Sequence, residues 1–152
     1  MEKQNDPLGL NVDLKAVDTS YPVAAPGQYA CVVKEMEVVP KKDDPTKRNL
    51  KMTYALSDPA PLDDDPTKTV NAGYIFTEYY PLQQSDNPNA PDFKVGIAKL
   101  VDAVFHTDAN TRPSIFPAPS EFIGRPVVAV VKVDNDPQYG KRNSVAALIA
   151  LR

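Results

Sequence analysis

Few residues in this 152-residue chain carry the side chains that catalysis needs. There is one histidine, His106, and one cysteine, Cys31. One of each cannot assemble a Cys/His zinc set. No GxSxG elbow, GxxxxGK[ST] phosphate loop or GxGxxG turn is present. His106 falls at the expected end of a helix, where a cation suits the helix dipole. Cys31 faces the expected core and reads as a small buried hydrophobe. Acids gather at Asp63, Asp64 and Asp65, in a loop, whereas a two-metal nuclease site needs acids on rigid neighbouring elements. The sequence therefore predicts a protein that is not an enzyme and uses no metal or other cofactor.

Binding chemistry is better represented. Non-specific capture of a single nucleic-acid strand needs cations that track phosphates and aromatic faces on which bases stack. Residues 41–51 hold Lys41, Lys42, Lys47, Arg48 and Lys51 against two acids, Asp43 and Asp44. A second stretch holds Lys132, Lys141 and Arg142 against Asp134 and Asp136. Aromatic residues concentrate in VNAGYIFTEYY, residues 70–80. On a strand, Tyr74, Phe76, Glu78 and Tyr80 would share one face, and Ile75, Thr77 and Tyr79 the other. Glu78 suggests that the first face is solvated, so Tyr74, Phe76 and Tyr80 are the expected stacking rings. Tyr139, beside Gly140, is a further candidate. The competing reading of the cations is a solvated set of loop lysines, and that of any single ring is core packing.

The elements that would position these residues can be read from hydrophobic periodicity. Residues 27–39 are β-branched and aromatic in their first half and form the expected first strand, with Tyr29, Cys31 and Val33 on one face. Residues 48–57 alternate: Leu50, Met52, Tyr54 and Leu56 face the core, and Asn49, Lys51 and Thr53 face away. Residues 70–80 form the third strand, with a bulge or bend expected at Gly73. A helix begins at Phe93, capped by Asp92, and carries an apolar stripe of Phe93, Ile97, Leu100, Val101, Val104 and Phe105. It ends near residues 106–107. A short helical turn closed by Gly124 is expected at 120–123. Residues 126–134 and 142–151 form a closing hairpin. Residues 1–25 lack strong periodicity and are expected to be an extended arm on a domain spanning 26–152.

The letters DDPTK occur twice, at residues 43–47 and 64–68. Each copy directly precedes a strand. Asp accepts hydrogen bonds from nearby backbone amides and Pro presets φ, so both read as one turn chemistry used twice. Neither copy has the alternating acids, glycine and distal glutamate of a calcium loop.

The order of three strands, a helix and two strands fits a mainly β fold: a five-stranded Greek-key OB-fold barrel with one α-helix between strands 3 and 4. A split α+β sheet has the same order. Gly27-x-Tyr29, the helix after the aromatic cluster, FIGRPV at 122–127 and GKRNSV at 140–145 resemble phage-encoded single-stranded-DNA-binding proteins with an OB-fold. The resemblance covers roughly residues 26–151. It implies a role in phage replication or recombination, carried out in the host cytoplasm. Candidate partners are single-stranded DNA, further copies of the chain, and phage replication or recombination proteins. The chain ends Ala150-Leu151-Arg152 rather than in the acidic tail that many such proteins use for recruitment.

In that barrel, the loops between strands 1 and 2 and between strands 4 and 5 flank a binding face on strands 2 and 3. Both basic stretches fall in or beside those loops. The acidic stretch 58–69 is expected to lie away from the groove. The formal net charge of −3 argues against a general nucleic-acid coat. Sixteen prolines punctuate the chain without forming PxxP tracts. The absence of an apolar run of spanning length predicts no membrane association. The rival function is an OB-like protein-interaction or structural module of a virion or assembly, using the Pro-rich arms and a free sheet edge.

Overall fold

The computed structural model describes residues 7–16, 22–138 and 140–151. Strands β1 (Gly27–Pro40) and β2 (Arg48–Leu56) form a long hairpin. Two short strands, β3 (Ala60–Pro61) and β4 (Thr69–Val70), pair with each other. Strand β5 (Ile75–Pro81) follows, then helix α1 (Phe93–Phe105) and a one-turn helix α2 (Pro119–Phe122). The hairpin of β6 (Pro126–Asp136) and β7 (Gly140–Ala150) closes the chain. The protein is mainly β, as expected, and its five long strands form one antiparallel sheet in the order β5-β2-β1-β6-β7.

The sheet is not closed into a barrel, which corrects the closed wall expected from the sequence. β5 and β7 are its two ladder edges and approach each other without pairing. Side chains bridge the seam instead. The Tyr74 hydroxyl lies 3.1 Å from Asn143 Oδ1 and 2.8 Å from the Pro22 carbonyl. Asn143 in turn accepts from the Ala24 amide at 2.9 Å and donates to the Ala24 carbonyl at 2.8 Å, imitating a strand pair. Helix α1 packs against β5, β6 and β7. Register shifts fall between Val33 and Glu35 in β1 and between Val130 and Val131 in β6, irregularities of the kind that bend a strand and raise its twist.

The core lies inside this curl. Met52 and Tyr54 of β2, Cys31 and Val33 of β1, Leu100 and Val104 of α1, Phe122 and Val127 are all buried. Leu50, Met52, Tyr54 and Leu56 of β2 and Leu100, Val101 and Val104 of the α1 stripe are buried as expected, but Thr53, expected to face away, is only 5% exposed. Asp92 caps α1 by accepting from the Lys94 amide at 3.0 Å, and His106 ends it in the left-handed region at φ 57°. The expected third strand at 70–80 is two elements. Gly73, at φ 92°, turns the chain between β4 and β5, a path that L side chains rarely adopt. The last residues of the expected arm belong to the body. Val23 and Ala24 are buried, and the Ala25 and Asp63 amides donate across to Pro61 and Val23.

The two DDPTK copies adopt one turn. Asp44 Oδ1 accepts from the Thr46 amide at 3.2 Å and its hydroxyl at 2.6 Å. Asp65 Oδ1 accepts from the Thr67 amide at 3.1 Å and its hydroxyl at 2.6 Å. Each loop closes with a lysine amide donating back to the aspartate carbonyl at 3.0 Å, Lys47 to Asp44 and Lys68 to Asp65. The threonine hydroxyl first, then the threonine amide, holds each of the Asp44 and Asp65 carboxyls below the usual carboxylate range.

Candidate nucleic-acid interface

Antiparallel partners point the same way out of a sheet. Opposite Leu50, Met52 and Tyr54 of β2 stand Tyr80, Glu78 and Phe76 of β5. β2 buries its three residues, so β5 buries the face that carries Glu78. Phe76 is only 2% exposed. Its ring lies 5.3 Å from that of Tyr74, edge to face, and 6.3 Å from that of Tyr29. This overturns the expected solvated face: Phe76 is a core residue, and Tyr74 and Tyr80 are half-buried.

The physical reason is that Glu78 has partners inside. Its Oε1 accepts from the Tyr54 hydroxyl at 2.7 Å and the Tyr80 hydroxyl at 2.5 Å. Burial raises the Glu78 carboxyl above its ordinary value, and the two hydroxyls pull it back down. Burial first, then the neighbouring Glu78 charge, raises the Tyr80 phenol. Two neutral donors on one acceptor allow a carboxyl to sit where an apolar residue is expected.

The outward face of β5 carries Ile75, Thr77 and Tyr79. Tyr79 is 54% exposed and stands directly opposite Lys51 of β2. Around this pair lies an open groove of about 540 Å³. Lys41 and Lys42 come to it from the β1–β2 loop, Lys51 and Asn49 from β2, Tyr79 from β5 and Arg142 from the start of β7. Among the described residues, Asp43 is the one acid that lines it. Among the described residues, no carboxylate lies within ion-pair distance of Lys41, Lys42, Lys51 or Arg142. Among the described residues, the groove thus gathers four cations without an ion pair around one exposed ring. Its two basic tips come together from opposite ends of the sequence because the β5 and β7 edges meet at the seam.

The other expected cations are placed differently. Lys47 turns to Asp86, 3.0 Å away. Arg48 is exposed but is not among the groove-lining residues. Lys132 lies 3.8 Å from Asp134. Lys141 is held by both Asp63 and Asp64, at 2.9 and 2.8 Å. Among the described residues, the acidic 58–69 stretch contributes nothing to the lining of this groove, but its Asp63 and Asp64 reach the β6–β7 hairpin through Lys141. Tyr139 lies outside the described residues. Tyr79 is the residue that sequence reasoning passed over. Its signal was available in the alternation of β2, which sets the faces of its ladder partner.

Cys31 is fully buried, and burial raises its thiol to about 11, which keeps it protonated near neutral pH. Among the described residues, no helix is long and apolar enough to cross a membrane. No family model matches the chain, and a search of curated proteins finds no match to it.

Proposed function

We propose that the protein binds single-stranded DNA without base specificity, through the groove around Tyr79. The observation that carries this reading is the convergence of Lys41, Lys42, Lys51 and Arg142, none ion-paired among the described residues, on an exposed tyrosine ring. Cations placed along a groove neutralise phosphates, and an exposed ring accepts any base on its π face. The order β5-β2-β1-β6-β7, with α1 between β5 and β6, supports reading the fold as an OB-type Greek key left open along one seam. On that reading the groove occupies the face of the second and third barrel strands, flanked by the two loops that such folds use for oligonucleotides. With the sequence resemblance, this favours a phage protein that protects single strands during replication or recombination.

The test is fluorescence anisotropy with labelled oligothymidine across a salt series. Binding should weaken steeply as salt rises. Replacing Lys41, Lys42 and Arg142 together by Gln should flatten the log–log salt slope by about 2, because each lost phosphate contact on a single strand removes about 0.7. Absence of binding at low salt would overturn the reading.

A further inference from the structure

The salt links on Lys141 bear on how strongly the groove can bind. Lys141 directly precedes Arg142, and both line a smaller cavity of about 190 Å³ at the seam, with Ile75 and Thr77 of β5. Ile75, Thr77 and Tyr79 share the outward face of β5, so the two cavities follow one another along that strand. Ile75 and Tyr79 are four residues apart, or about 13 Å along the strand. A nucleic-acid strand lying over Tyr79 and continuing toward Ile75 arrives at Lys141.

Lys141 is already engaged there. Its Nζ lies 2.9 Å from Asp63 Oδ2 and 2.8 Å from Asp64 Oδ1. These carboxylates are held in place by the backbone. The Asp63 amide donates to the Val23 carbonyl at 2.8 Å, the Leu62 amide donates to Lys68 at 3.0 Å, and Leu62 bridges Ala24. The Asp65 turn closes the same loop. The pair of carboxylates holds the Lys141 ammonium well above its ordinary value. Lys141 and Asp64 remain solvent-accessible, so the contact can be exchanged for another anion.

We propose that Asp63 and Asp64 compete with nucleic-acid phosphate for Lys141, and so set an upper limit on the affinity of the groove. The proposal rests on the reading of that groove as a single-strand site. The acidic loop takes up the cation that would otherwise meet the next phosphate along β5. It weakens retention of a long strand without touching the stacking ring.

The experiment is a cycle in the full chain: wild type, D63N/D64N, K141Q, and K141Q with D63N/D64N. Each is titrated with labelled oligothymidine over a salt series. D63N/D64N should bind roughly fivefold tighter at low salt, with a slope steeper by about 0.7, the signature of one added phosphate contact. In the K141Q background the same two changes should give no steepening. That outcome separates a freed Lys141 from a general loss of negative charge. If wild type binds and D63N/D64N matches it in affinity and slope, the competition is overturned and the groove reading stands. Steepening that persists in the K141Q background also overturns it. If neither wild type nor D63N/D64N binds at low salt, both readings fall together.

Discussion

The two faces of β5 use similar residues for opposite purposes. Inward, Phe76, Glu78 and Tyr80 join the core, and the acid is held by two phenols. Outward, Ile75, Thr77 and Tyr79 meet solvent, and the tyrosine has a lysine as its cross-strand neighbour. A carboxylate marks the inner face and two apolar or aromatic residues mark the outer one, the reverse of the usual alternation. Burial on this strand is decided by the partner strand. Leu50, Met52 and Tyr54 leave β2 no choice of face, and the ladder passes that choice to β5.

The largest expected effect belongs to the inner face. Phe76→Ala should destabilise the fold by about 3–5 kcal/mol, as for other buried aromatic truncations. Urea unfolding measures it, and a near-neutral result would return Phe76 to the ligand side. Tyr79→Ala should do the converse. Loss of one stacked base costs about 1–3 kcal/mol of binding, roughly five- to 150-fold, while the salt slope stays as in wild type. Its urea midpoint should hardly move, because the ring is half in solvent. Lys51→Gln should act more gently, flattening the slope by about 0.7 and leaving stacking intact. A change in slope for Tyr79→Ala, or none for Lys51→Gln, would erase the division of labour between ring and cation.

The smallest effect sharpens the inner face. Glu78 has a raised carboxyl, so the folded chain holds its proton more readily than the unfolded one. Where the folded state binds more protons, stability falls as pH rises. The contribution of Glu78 is therefore full below its ordinary value of 4.5 and is lost as pH climbs through its higher folded value. Glu78→Gln keeps an oxygen for the Tyr54 and Tyr80 hydroxyls and removes this titration. The stability difference between variant and wild type should then shift in favour of the variant from pH 4.5 upward. Parallel stability profiles would show that the carboxyl is not perturbed by burial.

The elements were legible in the sequence because their signals are local. The alternation of β2, the apolar stripe of α1 with Asp92 before it, and the Asp-Pro-Thr turns each lie within one short stretch of chain. The face of β5 was not legible from β5 alone. Glu78 resembles a solvent marker until Tyr54, 24 residues earlier, is seen to donate to it. The fate of the cations was equally hidden. Lys47 meets Asp86 across 39 residues, and Lys141 meets Asp63 across 78. No window of sequence reports an ion pair of that span, so the basic stretches could be located while their free and engaged members could not be told apart. The open seam also escaped local reading, because it depends on whether two edges close by backbone or by side chains such as Tyr74 and Asn143.

The duplicated turn has one more implication. Its bend is dictated by Asp, Pro and Thr, whose bonds stay within the loop. Among the described residues, the side chains just ahead of the first copy, Lys41 and Lys42, form no ion pair with the turn, whereas ahead of the second Leu62 packs on the core and Asp63 meets Lys141. Two letters at positions 41 and 42 would thus suffice to turn a cationic corner into an acidic one while the chain kept its path. The corner behaves as a socket, in which evolution or a designer can change the plug without rewiring the wall.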